Sequence, residues 1–276
     1  MAVGAYTTYK LAGFFPDVNI IIVILVSGLF AAAVGVAFGI PSLRIKGFYL
    51  AVATLAAQFF LEWMFQTVPW FTDYSTSATI AAPPRTLFGL DIMGPKTAPE
   101  TKYIVVLTFL VVFAIIVKNL VRSRVGRSWM AIRDFDIAAE LIGIRPLRTK
   151  LLAFAVSSYI VGVAGALYAF YMLENAEAEG FDILIISFPI LFMIVIGGLG
   201  SVMGSIMGAV FIVMVPQIIE FTPEAVGLKV PSYVIQHIRF MVLGAAIVFF
   251  LIVEPHGLAR LWQIAKEKLR LWPFPH

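Results

Sequence analysis

Cysteine is absent from the 276-residue chain, histidine occurs three times, and Asp, Glu, Lys and Arg together make up 13%. Each scarcity excludes something. Without cysteine there is no disulfide framework, no thiol nucleophile and no soft metal ligand. The three histidines are scattered, and one of them, His276, is the last residue, so no metal centre is expected. A soluble domain carries roughly 25% charged residues to stay dissolved, which leaves a soluble enzyme and a nucleic-acid binder as poor fits. No G-x-x-x-x-G-K-[ST] phosphate loop, H-E-x-x-H or G-x-S-x-G pattern appears in the chain, so neither nucleotide hydrolysis nor any other bond-making chemistry is expected of it. No cofactor is implied.

What the chain has is apolar length. Hydrophobic residues make up 61%, with 24 Phe, and the mean hydropathy is +0.96. A helix needs about 20 apolar residues to cross a hydrocarbon core about 30 Å thick. Seven stretches qualify as candidates: 20–40, 47–66, 103–121, 151–172, 181–197, 201–219 and 234–253. The fifth is the shortest and holds Pro189, which predicts a kink or a break. Alternating strands of the outer-membrane barrel kind are missing. The expected fold class is all-α, a polytopic transmembrane helical bundle forming one transmembrane domain over 1–276.

The few charges are sorted by side. If 122–150 faces the cytoplasm, alternation places Arg44, Lys46, Lys118, Arg122, Arg124, Arg127, Arg133, Arg145, Arg148, Lys150, Arg260, Lys266, Lys268 and Arg270 there as well. Lys10, Arg85, Lys96, Lys102, Lys229 and Arg239 fall on the other side. This asymmetry is the positive-inside signature, and it turns the basic pI of about 9.3 into a topology signal. The same alternation predicts a cytoplasmic tail at 254–276. An outer loop spans 67–102, rich in proline, and reads either as a docking surface or lid or as a plain excursion. Seven crossings put the N-terminus outside, yet Met1–Asn19 has neither a charged n-region nor a signal-peptide core. The first eleven residues read as the tail end of a helix that begins earlier.

Polar and small residues inside the apolar stretches supply the candidate substrate path. Gln58 and Glu62 lie one turn apart on one helix face, and an ionisable residue at membrane depth is a functional candidate. Gly197, Gly198 and Gly200 join two apolar stretches, as a tight turn or as the unwound middle of a broken helix. Gly35, Gly39, Gly204, Gly208, Gly162 and Gly165 read mainly as close-packing positions. Glu220, His237 and Arg239 sit at stretch ends, where snorkelling explains them.

The most informative segment is Gly126–Ile144. Residues from Arg127 to Arg133 suit one or two turns of helix. Asp136 suits the N-cap of a second short helix ending at Leu141 or Ile142, with Gly143 as its C′ residue. Ile137, Leu141 and Ile144 then share one side. So short a helix needs packing on a neighbour; the alternative is an amphipathic helix lying on anionic lipid.

This segment, Gly-Arg-x-x-x-Ala-Ile-Arg-Asp-x-Asp-x-Ala-Ala-Glu-x-x-Gly-Ile, precedes Lys150-Leu151-Leu152-Ala153-Phe154 and Gly162-Val163-Ala164-Gly165-Ala166-Leu167-Tyr168. Together they resemble the LivM-type permease subunit of bacterial branched-chain amino acid ABC importers. Leu43–Ala51 with Thr54-Leu55, Gly197–Ser201 and Glu254–Leu258 agree, in order and at matching spacing. The resemblance runs from about Gly4 to Leu261. It is more specific for the family than for the substrate, since related permeases carry urea or other small amides and acids.

The resemblance implies a path shared with a second, different permease subunit, driven by two cytoplasmic ATPase subunits and supplied by an extracytoplasmic substrate-binding protein. It makes the 136–143 helix an ATPase-coupling helix, with Arg133, Asp136, Ala139, Glu140 and Gly143 as its working residues. Family members carry one or two helices before the point matching Gly4, which fits the topological anomaly. The rival classes are a urea or amide importer permease and a stand-alone secondary transporter. The latter predicts inverted repeats and paired intramembrane charges, and neither is evident.

Overall fold

The computed structural model describes the chain except residues 44–47, 75–79, 82–84, 88–89, 94–96, 178, 226–230, 254–256 and 272–276. Arg44, Lys46, Gly47, Lys96, Lys229, Glu254 and His256, used above in the charge and motif arguments, therefore lie outside the described residues. The architecture is an all-α membrane-spanning bundle. Five helices among the described residues are long and apolar enough to cross a bilayer, and each overlaps one of the seven predicted stretches.

The chain divides into two compact units, Met1–Asp182 and Ile183–His276. The first contains α1 (Ala2–Phe14), α2 (Ile20–Ser42), α3 (Phe48–Thr67), α4 (Pro99–Arg122), α5 (Arg124–Asp134), α6 (Asp136–Leu141) and α7 (Pro146–Leu167). It also holds the short strands β1 (Ile80–Ala81), β2 (Arg85–Leu87), β3 (Leu90–Met93) and β4 (Asn175–Ala176). Local chemistry sets the helix starts. Asn19 caps α2 by accepting from the Ile21 amide at 3.0 Å, while Pro99 and Pro146 open α4 and α7, positions where the missing N–H costs nothing.

Helices α2 and α7 form the spine of this unit. They run antiparallel: Gly28 faces Tyr159 and Val163, Gly35 faces Ser158, and Gly39 faces Leu151 and Phe154. Helix α1 joins them where Gly4 meets the Gly162 backbone and Met1 meets Gly165. A Cβ at Gly4, Gly35 or Gly162 would run into a neighbouring helix, so backbone proximity here depends on glycine. Around this seam Ala5, Ile24, Val163, Ala166 and Phe170 are buried. Past Leu167 the helix widens into a π-helical turn, Tyr168–Leu173, which ends at Glu174 in a left-handed conformation (φ 59°).

The second unit holds α8 (Phe188–Gly197), α9 (Val202–Ala225), α10 (Ser232–Val253) and α11 (Gly257–Leu271). The fifth apolar stretch is not one helix. A 3₁₀ turn at Glu179–Phe181 and a π-helical turn at Ile183–Ser187 precede a ten-residue α8, whose first turn contains Pro189. Proline cannot donate to an upstream carbonyl and its ring clashes there, so the α-helix begins at the proline instead of passing through it. Helices α8 and α9 form an antiparallel hairpin, with Gly197 against Gly204 and Gly208 against the Met193 carbonyl. Phe211 of α9 meets Phe250 of α10 edge-on at 5.9 Å.

Candidate functional site

The segment between α4 and α7 is built as a helix-turn-helix bracket. Ser123 ends α4 and caps α5: its hydroxyl donates to the Leu120 carbonyl at 2.6 Å and accepts from the Gly126 amide at 3.4 Å. Gly126 is required there, because a Cβ would strike the Leu120 and Val121 carbonyls. The indole N–H of Trp129 donates to the Thr149 carbonyl at 3.1 Å and so fastens α5 to the first turn of α7. Ile132 is buried beneath α5. The predicted turn or two of helix is in fact eleven residues, Arg124–Asp134.

Helix α6 follows after the single extended residue Phe135 (φ −150°). One sequence expectation is corrected here. Asp136 is not the N-cap: Phe135 holds that position without a side-chain cap, and Asp136 is the first helical residue. There its carboxylate still lies at the positive end of the helix. The side carrying Ile137 and Leu141 is exposed, and the helix packs on its own chain elsewhere. Ala139 is 2% exposed, whereas Phe135, Ile137, Leu141 and Ile142 are 75%, 75%, 84% and 74% exposed. Of the two alanines in this helix, Ala139 packs inward, while Ala138 is exposed together with the bulky residues. Gly143 behaves as expected of a C′ residue, with φ +87° and its amide donating to the Glu140 carbonyl at 2.9 Å. Ile144 closes the turn by donating to the Ala139 carbonyl at 3.0 Å.

The five coupling candidates are thus brought together on one bracket. Ala139 is its buried footing, and Gly143 reverses the chain toward α7. Arg133, Asp136 and Glu140 are exposed, with Arg133 engaged by its neighbour Asp134 at 2.9 Å. The surface combines four large apolar side chains with charges of both signs. An exposed apolar patch of this kind marks a contact with a protein or a membrane surface.

The path candidates fall into two places. Gln58 and Glu62 lie on α3 in the first unit, both half-buried, and Glu62 shares an acidic neighbourhood with Asp182 and Glu179. Gly197, Gly198 and Gly200 lie in the second unit at the α8–α9 turn. Of the two readings offered for them, the structure shows the tight turn: Gly198 and Gly200 have φ of 107° and 84°. The Gly198 amide donates to the Ile194 carbonyl at 2.9 Å, and Gly257 lies against Gly198 and Ile196. His237 is exposed, with its ring nitrogen on the Tyr233 carbonyl of its own helix, and Arg239 pairs with Glu220 at 3.4 Å. Among the described residues no group of three His, Asp or Glu is placed to hold a metal ion.

The family model described as "Branched-chain amino acid transport system / permease component" matches residues 1–252. The chain belongs to that permease family. It is 28% identical, over 93% of its length, to the high-affinity branched-chain amino acid transport system permease protein LivM of Escherichia coli K12 and to its counterpart in Salmonella typhimurium. The match covers 61% of those proteins, so the permease chain spans less than two thirds of these curated relatives. It is also 28% identical to a probable ABC transporter permease protein y4mJ of Sinorhizobium fredii, over 67% of this chain and 56% of that one. An autoinducer 2 import system permease protein LsrC of Photorhabdus laumondii is 29% identical over 47% of this chain and 38% of its own length. No solved structure matches.

Sequence reasoning missed the contacts that close the opposite end of the first unit. Strand β1 pairs antiparallel with β4, Ile80 opposite Ala176. Lys102 pairs with Glu174, and Lys10 pairs with Asp73 at 3.3 Å. The guanidinium of Arg85 donates to the Pro16 and Ala12 carbonyls. Two-residue strands leave no periodicity to read. The one available signal was that alternation placed Lys10, Arg85 and Lys102 on one side.

Proposed function

We propose that the chain is the membrane-spanning permease subunit of an ATP-binding-cassette importer for branched-chain or similar amino acids. In this reading the bacterial inner membrane holds it beside a second, different permease subunit. Two separate cytoplasmic ATPase subunits supply the energy, an extracytoplasmic binding protein delivers the substrate, and the C-terminus is cytoplasmic. Family membership supports the transport role, and the asymmetry of Lys and Arg supports the orientation.

One observation carries the coupling assignment. Helix α6 exposes Phe135, Ile137, Leu141 and Ile142 while its footing is fixed by Ala139, Trp129 and the Gly143 turn. An apolar surface on a rigid, two-point mount suits a groove in a soluble subunit. Movement of that groove is passed to α4 and α7 as a rigid-body displacement. Glu140 and Arg133 flank the apolar contact and set its register.

The test is reconstituted uptake together with substrate-stimulated ATP hydrolysis. Gly143→Pro removes both the positive φ and the amide donated to Glu140; it is expected to cut both activities at least tenfold while membrane insertion is retained. Glu140→Lys is expected to lower coupling less. Unchanged uptake in both variants rejects α6 as the coupling element.

A further inference from the structure

The bracket helices cover an opening that the coupling role does not use. A cavity of about 390 Å³ lies between α4, α5 and α7, walled by Val117, Leu120, Trp129, Ala153, Phe154 and Ser157 among others. Its two polar side chains are already satisfied. Ser157 donates to the Phe154 carbonyl at 3.1 Å, and Trp129 donates to the Thr149 carbonyl. The wall therefore offers an occupant apolar contact only.

The rim has the opposite character. Lys118, Arg122 and Arg124 line the junction of α4 with α5, Arg127 follows one turn on, and Arg148 and Lys150 open α7. Among the described residues none of these six forms a salt bridge, and no acid occurs from Lys118 to Arg133 or from Arg145 to Met172. Lys150 lies one turn before Ala153 and Phe154, on the same helix face as the cavity wall. Uncompensated cations at the end of two membrane helices lie at headgroup depth, where each attracts an anionic lipid surface.

Charge distinguishes the possible occupants. An apolar groove rimmed by unpaired cations matches a lipid, which brings an apolar chain and an anionic headgroup together, better than the apolar side of a neighbouring span. An acyl chain needs no polar partner. We propose that this cavity binds one anionic phospholipid, with an acyl chain between α4 and α7 and the phosphate held by Lys150 and the α4–α5 arginines. Bound there, the lipid ties together the three helices that carry α6. The inference rests on the membrane-spanning fold and is independent of the substrate transported.

The experiment uses the full chain, purified in a mild detergent and titrated with phosphatidylglycerol or phosphatidylcholine of identical acyl chains, with bound lipid counted by native mass spectrometry. One phosphatidylglycerol is expected to remain bound, preferred about tenfold or more. Lys150→Gln and Arg122→Gln should each weaken phosphatidylglycerol binding about fivefold and leave phosphatidylcholine unchanged. Ala153→Phe, which fills the cavity, should abolish retention of either lipid, with thermal unfolding as the control for folding. Equal retention of the two lipids, or no change on removing Lys150 and Arg122, overturns the proposal irrespective of how Ala153→Phe folds. Because the chain has no cysteine, Val117→Cys carries a photoreactive label at a single place. In membranes it should yield a lipid adduct, and an adduct to another polypeptide would show that the cavity is a protein interface.

Discussion

The two ends of helices α4 and α7 are finished in opposite ways. At the end where α4 begins and α7 passes into its π-helical turn, the chain satisfies itself. Lys102 pairs with Glu174, Lys10 with Asp73, β1 with β4, and Arg85 with two backbone carbonyls. Tyr6 stacks on Phe65 at 4.5 Å beneath these contacts. At the other end, among the described residues, six cations form no salt bridge and four large apolar side chains of the α6 region stand in the open. A closed end holds a fold together; an open end is complementary to something outside the chain. Function is therefore expected where the intramolecular bookkeeping does not balance.

The seam between the two ends should give the largest effect. Gly162→Leu forces a side chain into Ala31 and the α2 backbone. Overpacking costs about 1–3 kcal/mol and more where backbones touch, so this variant is expected to lose the cooperative melting transition in detergent. A normal melt would mean that α2 and α7 are not held together by glycine contact. Next comes the closed end. Lys102→Ala strands a half-buried Glu174 carboxylate and is expected to cost about 1–2 kcal/mol, a value reduced from that of a buried pair because Glu174 is partly exposed. Lys102→Ala combined with Glu174→Gln should recover most of that loss in thermal melts; a double variant no better than the single one denies the pairing.

The sequence carried the spine of this fold but not its closures. Long apolar runs, helix-opening prolines and the Gly126 and Gly143 positions are local signals, and local signals survive in one chain read alone. Pro189 likewise announced the broken fifth stretch. The β1–β4 pairing and the Lys102–Glu174 contact join residues some 70 to 95 positions apart, and nothing in their immediate neighbours encodes that. Helix α6 shows a subtler failure. Spacing correctly placed Ile137 and Leu141 on a common side, but spacing cannot say whether a shared apolar side faces its own protein or another. Size does not say it either: Ala138 and Ala139 are equally small, and only Ala139 is buried.

A smaller loss is expected at the bracket itself. Trp129→Phe keeps the ring and removes the donor to the Thr149 carbonyl, which costs about 0.5–1.5 kcal/mol. The spine should be unaffected, so global melting shifts little, while amide exchange of α5 and α6 should accelerate relative to α2. Exchange that rises equally in all helices would mean that the bracket has no local stability of its own.

The smallest effect on stability belongs to the open end, and there the comparison is sharpest. Leu141 is 84% exposed, so Leu141→Ser removes almost no intramolecular packing and should change folding by less than about 0.5 kcal/mol. If the α6 surface is met by an ATPase groove, the same change removes an apolar anchor from that interface and should lower coupled uptake several-fold with the melting temperature unchanged. Loss of stability together with activity would show that Leu141 serves the fold. Retention of both would leave this face without a partner and make the basic rim, not the apolar helix, the working feature of the open end.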